Sequence, residues 1–195
     1  AFLAGKQSFG KGQRGRVWHS PFGGVWISAA FPWQASNQNP GIIGLVVAFS
    51  LAERLEKQHV DVRIKWPNDL LLGEKKIVGI LPGLVHRGNS LRHARVGIGL
   101  NVFNQVPKEG ISLKKILPLY ECNLLHWTSE VLLALDRTIE LSDKTDWVCN
   151  QIQKRLWKKE LYDENSRMTW QIDGVNIDGT LQLSRGKESK IFRSL

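Results

Sequence analysis

A chain of 195 residues with 42% hydrophobic and 23% charged residues has the make-up of one medium globular domain, or of one domain with a small appendage. It holds no apolar run near the roughly 18 residues that span a bilayer, and its opening AFLAGKQSFG shows no signal-peptide pattern. Lys and Arg number 27 against 18 Asp and Glu, and the resulting net charge of +9 calls for an anionic partner: nucleic acid, nucleotide or an acidic protein.

In chain order, residues 1–7 read as the end of a strand and Val25–Phe31 as a second strand, from its β-branched and aromatic content. Asn39-Pro40 starts a helix, with Asn as cap and Pro at the first helical position. Ile42, Leu45, Val46, Phe49, Ala52 and Leu55 then recur with helical period, which predicts a core helix. Asp61–Trp66 reads as a strand stopped by Pro67. Leu70–Leu81 reads as a hairpin turning at Gly73-Glu74, and a turn at Arg87-Gly88-Asn89 leads into a strand over Arg92–Val102. Strands joined by tight turns predict an antiparallel or mixed sheet and exclude a doubly wound parallel one. Ser129–Leu141 and Thr145–Trp157 are predicted helices that cover one face of the sheet. After the charged segment KKELYDENSR, the tail carries short alternating strands with glycine turns at Gly174, Gly179 and Gly186, a small barrel or meander. Cys122 and Cys149 match no zinc or redox spacing, which suits a reducing cytoplasm. His19, His59, His86, His93 and His126 form no metal-ligand set in sequence.

Three stretches carry chemistry. In SFGKGQRGRVWHSPFGG, Ser8–Gly24, the glycines at 10, 12 and 15 let successive N–H groups converge on one anion, and Lys11, Arg14 and Arg16 add charged donors. A polyphosphate or acyl phosphate suits such a loop; a solvated basic loop is the alternative. Gly5-x-x-x-x-Gly10-Lys11 begins like a P-loop, but Gly12 stands where that motif needs Ser or Thr for magnesium. In KWPNDLLL, Lys65 ends a strand and can point into a cleft, where it could hold a carboxylate and the phosphate it attacks. Asn68 and Asp69 can orient a ribose, a metal or backbone, or simply form a turn. Gly79, Gly97 and Gly99 sit inside strands, where glycine marks a bulge, packing relief, or a flat ring or apolar chain close to the backbone.

GKGQRGRVWHSPFGG, KWPNDL, KIVGIL and VGIGLNV, in this order and spacing, resemble the biotin–protein ligases. The resemblance implies an α+β fold of the class II aminoacyl-tRNA synthetase/biotin synthetase type. A mixed, largely antiparallel sheet with helices packed on one face would occupy residues 1–160, and a small SH3-like β-barrel residues 165–195. It implies that biotin attacks the α-phosphate of ATP, with magnesium, giving biotinyl-5′-AMP and pyrophosphate. A lysine of the biotin carboxyl carrier protein of acetyl-CoA carboxylase then takes the acyl group. By position, Gln7 resembles the biotin-pocket glutamine, while Lys11, Gly12 and Gln13 resemble the loop that closes over biotin and phosphate. Arg14 and Arg16 resemble the arginines near ATP, and Trp18 the tryptophan capping the loop. Lys65 resembles the lysine bridging carboxylate and phosphate; with Arg14 and Lys11 it forms the implied catalytic set. Gly79 and Gly97 fall on the biotin side, Asn68, Asp69 and Asn101 on the nucleotide side or behind it. Magnesium is implied only through the ATP phosphates.

The pattern is departed from at several places. Lys11 replaces a common Arg. Gln13 replaces another, so one cation facing the adenylate is lost, and either the intermediate is held less tightly or Arg14 compensates. Pro82-Gly83 follows GIL where an apolar residue and Glu are common, which predicts a locally altered strand. The family's upstream strand and Ser-Thr-Asn turn precede the point where this chain opens, so an open substrate site and an unpaired sheet edge are expected, from a fragment, a misplaced start or impaired activity. No helix-turn-helix segment is present, so no DNA partner is expected; neither is a membrane, and the resemblance allows a homodimer. The competing readings are a lipoate or octanoate ligase on the same fold, a degenerate non-catalytic homologue, and a basic nucleic-acid-binding module.

Overall fold

A computed structural model describes residues 1–33, 40–88 and 90–193. Asn39 and Asn89, expected as a helix cap and a turn residue, lie outside the described residues. Strands β1 (Phe2–Ala4), β2 (Gly24–Phe31), β3 (Arg63–Lys65), β4 (Asp69–Leu72), β5 (Lys75–Arg87) and β6 (Ser90–Asn101) form one sheet in the order β1-β2-β6-β5-β4-β3. Every neighbouring pair in it is antiparallel, so of the expected antiparallel or mixed sheet it is the antiparallel form. Each junction from β3 to β6 is short enough only for a turn, and a turn reverses the strand.

Period-two alternation divides the sheet into two unlike faces. On one face Val25, Ile27, Ala29, Phe31, Val96, Ile98, Leu100, Val78, Ile80, Leu70 and Ile64 are all buried. They pack under α1 (Pro40–Lys57), whose residues from Ile42 to Leu55 are apolar on nearly every side because α2 (Leu124–Glu140) and α3 (Thr145–Arg155) cover its back. Ion pairs tie the three helices at their rims: Arg54 to Glu130 at 2.5 Å, and Arg155 to Glu56 through two parallel bonds of 2.9 and 3.0 Å. The other face carries Trp26, Ser28, Gly97, Gly99, Gly79 and Asp69, and among the described residues no α-helix lies on it.

Five details depart from expectation. β5 runs unbroken through Pro82-Gly83: Pro82 pairs with Val96, and Gly83 leaves room for Arg95, whose Nε would lie 3.0 Å from a Cβ there. α2 starts at Leu124, five residues before the expected Ser129, because the Asn123 side chain accepts the Leu125 and His126 N–H groups and caps the helix. The charged segment hides a strand, β7 (Glu160–Asp163), which pairs with β8 (Met168–Val175). Gly174 is no turn but the site of a register shift inside β8. With β9 (Leu181–Arg185) and β10 (Glu188–Phe192) these strands make a sheet in the order β10-β9-β8-β7, whose outer strands β10 and β7 are not laddered to each other, so the expected barrel is not closed. No helix among the described residues is long and apolar enough to cross a membrane.

The tail sheet is pinned by a buried carboxylate. Asp163 accepts from the Lys190 ammonium at 2.5 Å, the Ser166 hydroxyl at 2.7 Å and the Asn165 N–H at 3.1 Å. These partners, Lys190 first, pull its pKa from the ordinary 3.8 to about 2. A carboxyl depressed by folding stabilises the fold above its unfolded pKa, and that contribution fades as pH falls from about 4 towards 2. The indole N–H resonance of Trp170, which donates to Ser166 at 3.3 Å and lies under Lys190, should therefore shift across that window. In Asp163→Asn the shift should vanish, and the sheet should be less stable at neutral pH.

Candidate active site

The helix-free face of the six-stranded sheet is floored by small residues in register. Trp26, Gly99, Gly79, Asp69 and Lys65 form one row across five strands, and Ser28, Gly97 and Leu81 form the next. Trp18 lies down on the first row. A Cβ at Gly99 would sit 2.4 Å from its Nε1, and one at Gly79 2.8 Å from its Cζ3, so only glycine lets the indole touch the strands. Trp26 meets the ring edge-on at 6.4 Å. The flat ring that the strand glycines admit is thus the chain's own.

Residues 7–20 double back as a narrow ribbon beside this floor. Gln7 N–H donates to the Ser20 carbonyl (2.9 Å), Trp18 N–H to Gly10 (2.9 Å) and Gly12 N–H to Arg16 (2.7 Å). Gly10 has no room for a side chain, since a Cβ would meet the Trp18 carbonyl at 2.3 Å. The Ser20 hydroxyl donates to Gln7 Oε1 at 2.7 Å, which leaves the Gln7 amide NH₂ as a donor for the space alongside. Between ribbon and sheet lies a cavity of about 460 Å³.

On the sheet side the cavity carries a cation, Lys76. The ammonium is 2.7 Å from Asp69 Oδ1 and 4.9 Å from the centre of the Trp18 ring. Its backbone is held from both sides: the N–H donates to Glu109 (2.9 Å), and the carbonyl accepts from Ile111 N–H (3.0 Å) and the Asn101 amide (3.4 Å). A bulge aims the side chain. β4 and β5 pair Leu70 with Val78 and then Leu71 with Lys76, so Ile77 is the extra residue. Plain alternation from Val78 and Ile80 would turn Lys76 into the core; the bulge turns it onto the open face beside Asp69.

Of the residues expected from the sequence, Gln7, Lys11, Gly12, Gln13 and Arg16 line the cavity from the ribbon, and Trp18, Asn68, Asp69, Gly79, Gly97 and Asn101 from the floor and far wall. Asn68 is buried; its amide donates to the Ile80 carbonyl, and its own carbonyl accepts Ile80 N–H at 3.1 Å. Asn101 is oriented by Asn104, which donates to its Oδ1 at 3.0 Å.

Two expected residues lie elsewhere. Arg14 sits at the ribbon's tip, in the left-handed region at φ 56°, and does not line the cavity. Lys65 is exposed on the edge strand β3, one strand beyond Asp69, and its ammonium leans outward to 5.5 Å from the Trp157 ring centre. Lys76, Ser28 and Glu109 line the cavity and were missed. For Lys76 the only sequence signal was its place three residues before Gly79.

The model of the Biotin/lipoate A/B protein ligase family matches residues 2–101, just over half of the chain. The chain belongs to this family. Among its curated relatives, the Bacillus subtilis bifunctional ligase/repressor BirA is 38% identical over 109 residues, 55% of this chain and 33% of that protein. The Escherichia coli BirA is 35% identical over 127 residues, 64% of this chain and 39% of that protein. The ligase-family chain therefore spans between a third and two fifths of the length of these two relatives. The structure of the Aquifex aeolicus biotin protein ligase in complex with biotin and ATP superposes with a TM-score of 0.73 at 25% identity, over 98% of this chain and 84% of that one.

Proposed function

We propose that the chain carries the catalytic unit of a biotin–protein ligase, which makes biotinyl-5′-AMP from biotin and ATP and passes the acyl group to a carrier lysine. The observation that carries this reading is the cleft itself: a planar indole floor, an amide donor at Gln7 on one side, and the Lys76 ammonium over the floor beside the glycine ribbon. A fused, flat ureido ring suits such a floor. In the first step a biotin carboxylate oxygen attacks the α-phosphorus, the bond from that phosphorus to the bridging oxygen breaks, and pyrophosphate leaves with the electron pair. Two anions must approach each other, and Lys76 is the cation placed to hold both. Lys11, Arg16 and the ribbon amides supply further donors to the phosphate. In the second step a carrier amine attacks the acyl carbon, AMP departs, and the amine gives up a proton.

This reading gives Lys76 the role the sequence resemblance attached to Lys65, and it has no need of Arg14. Magnesium usually keeps several waters and takes one or two carboxylates besides the phosphates. Glu109, an exposed carboxylate that lines the cavity, would hold it, and it would neutralise phosphate charge, while Asp69 stays with Lys76. The proposed acceptor is the biotin carboxyl carrier protein of acetyl-CoA carboxylase. It rests on the name of a Paracoccus denitrificans relative, a biotin--[acetyl-CoA-carboxylase] ligase, 33% identical over 103 residues. Two buried, unpaired cysteines suit a cytoplasmic setting. Residues 1–160 would form the catalytic unit, with the tail sheet as an appended one. A nucleic-acid reading fares worse, because Arg54, Arg137, Arg155, Arg185 and Lys190 are engaged in ion pairs rather than gathered in a stripe.

The test is exchange of labelled pyrophosphate into ATP. Exchange that depends on biotin, and does not occur with lipoate or octanoate, is the expected result. Exchange with lipoate alone, or none with any acid, contradicts the reading.

A further inference from the structure

We infer that Trp66 is a positioning residue, through which the turn at residues 176–180 of the tail sheet holds the Asn68–Asp69 wall of the cleft in place. The inference rests on the ligase reading for its effect on rate, though not for its effect on structure.

The chain of contacts is continuous. The tail turn is rigid: Asn176 N–H donates to the Thr180 carbonyl (2.9 Å), Gly179 N–H to Asn176 (2.8 Å), and Asp178 Oδ1 accepts from both the N–H (3.0 Å) and the hydroxyl (2.6 Å) of Thr180. At its apex Gly179 has φ +81° and lies directly on the first turn of α1, where a Cβ would be 2.6 Å from Ile42 N and 2.7 Å from the Gly41 carbonyl carbon. The Gly179 carbonyl accepts the Trp66 indole N–H at 2.9 Å, and Phe192 of β10 packs on the same ring at 5.7 Å.

From Trp66 the chain passes through Pro67 into the cleft. The first turns of α1 are gripped on that side as well, because a Cβ at Gly44 would lie 3.4 Å from Asn68 Cβ and 3.7 Å from the Pro67 carbonyl. Asn68 is then clamped to Ile80 by two hydrogen bonds, and the next residue, Asp69, holds the Lys76 ammonium. Trp66 itself does not line the cavity. Its indole N–H is the direct hydrogen bond from the tail sheet into the turn that leads to the catalytic lysine's carboxylate. Displacements of about an ångström at reacting groups cost large factors in rate, so a strut of this kind acts on turnover more than on binding. The biotin floor, Trp18 on Gly79 and Gly99, is built separately and should be spared.

The experiment uses the whole chain with Trp66→Phe, which keeps the ring on Phe192 and removes the donor. A second variant, Thr180→Val, loosens the tail turn from the far side. For Trp66→Phe we expect kcat of biotin-dependent pyrophosphate exchange to fall about tenfold, with KM for biotin within about twofold. The amide of Ile80, which reports the Asn68 clamp, should exchange hydrogen about tenfold faster. Thr180→Val should move both readouts the same way, and the double variant should add little to Trp66→Phe. A lower unfolding temperature with kcat and Ile80 protection unchanged would overturn the inference and leave Trp66 a packing residue. If Trp66→Phe does not fold, Thr180→Val decides by the same two readouts. If the unmutated chain shows no exchange, the ligase reading fails, and Ile80 protection in the variants still decides whether the strut exists.

Discussion

Lys76→Met lowers biotin-dependent pyrophosphate exchange by about 10²–10³-fold, the usual cost of losing a preorganised charged donor, while Lys65→Met leaves it within about twofold. The argument is one of charge in a confined space. Carboxylate and triphosphate repel each other, and a cation about 4 Å from each is worth about 4 kcal/mol per pair at the effective dielectric of a protein surface. Lys76 is set for this by its backbone bonds to Glu109 and Ile111, by the Asp69 carboxylate at 2.7 Å, and by the Trp18 ring beneath. Methionine keeps the length and loses the charge, and it leaves Asp69 as an unneutralised anion facing the phosphates. Lys76→Met/Asp69→Asn should therefore recover part of the loss, which a merely structural role for Lys76 would not produce. Lys65 points away from the cleft to Trp157, so its removal subtracts only a surface charge. Initial rates at saturating biotin and ATP, with circular dichroism to confirm folding, check all three variants.

Gly99→Ala weakens biotin binding by about ten- to a hundredfold. The added methyl would lie 2.4 Å from Trp18 Nε1 and 2.7 Å from Cε2, and these atoms belong to a rigid ring, not to the free end of a flexible chain. The indole must lift off the sheet, and overpacking of that kind costs about 1–3 kcal/mol, with each 1.4 kcal/mol worth about a factor of ten in affinity. The lifted ring also loses its edge contact with Trp26 and carries Lys76 with it, so the floor and the cation are disturbed together. Gly97→Ala is the informative comparison, because its methyl would meet Leu81 at an ordinary 3.5 Å and leaves the indole alone. Titration calorimetry gives the affinities. The Trp18 indole N–H resonance should move in Gly99→Ala and stay in Gly97→Ala.

The sequence made the sheet legible where local chemistry sets the structure. Gly73-Glu74 is a turn because the strands on either side alternate and the glycine adopts φ +60°. The strand glycines announced a close approach, although nothing local says that the approaching ring is Trp18, sixty or more residues away. Lys65 ends a strand, as its sequence context indicates, but that this strand is the sheet's edge is a fact of strand order. Lys76 was hidden by the bulge at Ile77, which reverses the face that alternation assigns. β7 was hidden by composition: Asp163 counts as a charge in sequence, yet it is a buried inward-facing residue satisfied by Lys190 from the far edge of the same sheet. The glycine ribbon was legible as an anion cradle, but which of its cations faces the cleft depends on how it folds back, and that separated Lys11 and Arg16 from Arg14.

The central claim is that the activated biotin is held over the Trp18 floor with its acyl phosphate at Lys76. A crystal structure of the chain with biotinyl-5′-AMP tests it most directly. The account predicts the ureido ring system against Trp18, near the Gln7 amide, and the acyl-phosphate oxygens within hydrogen-bond distance of Lys76 Nζ. An adenylate bound with its phosphate at Lys65, or anywhere off this face of the sheet, would contradict it.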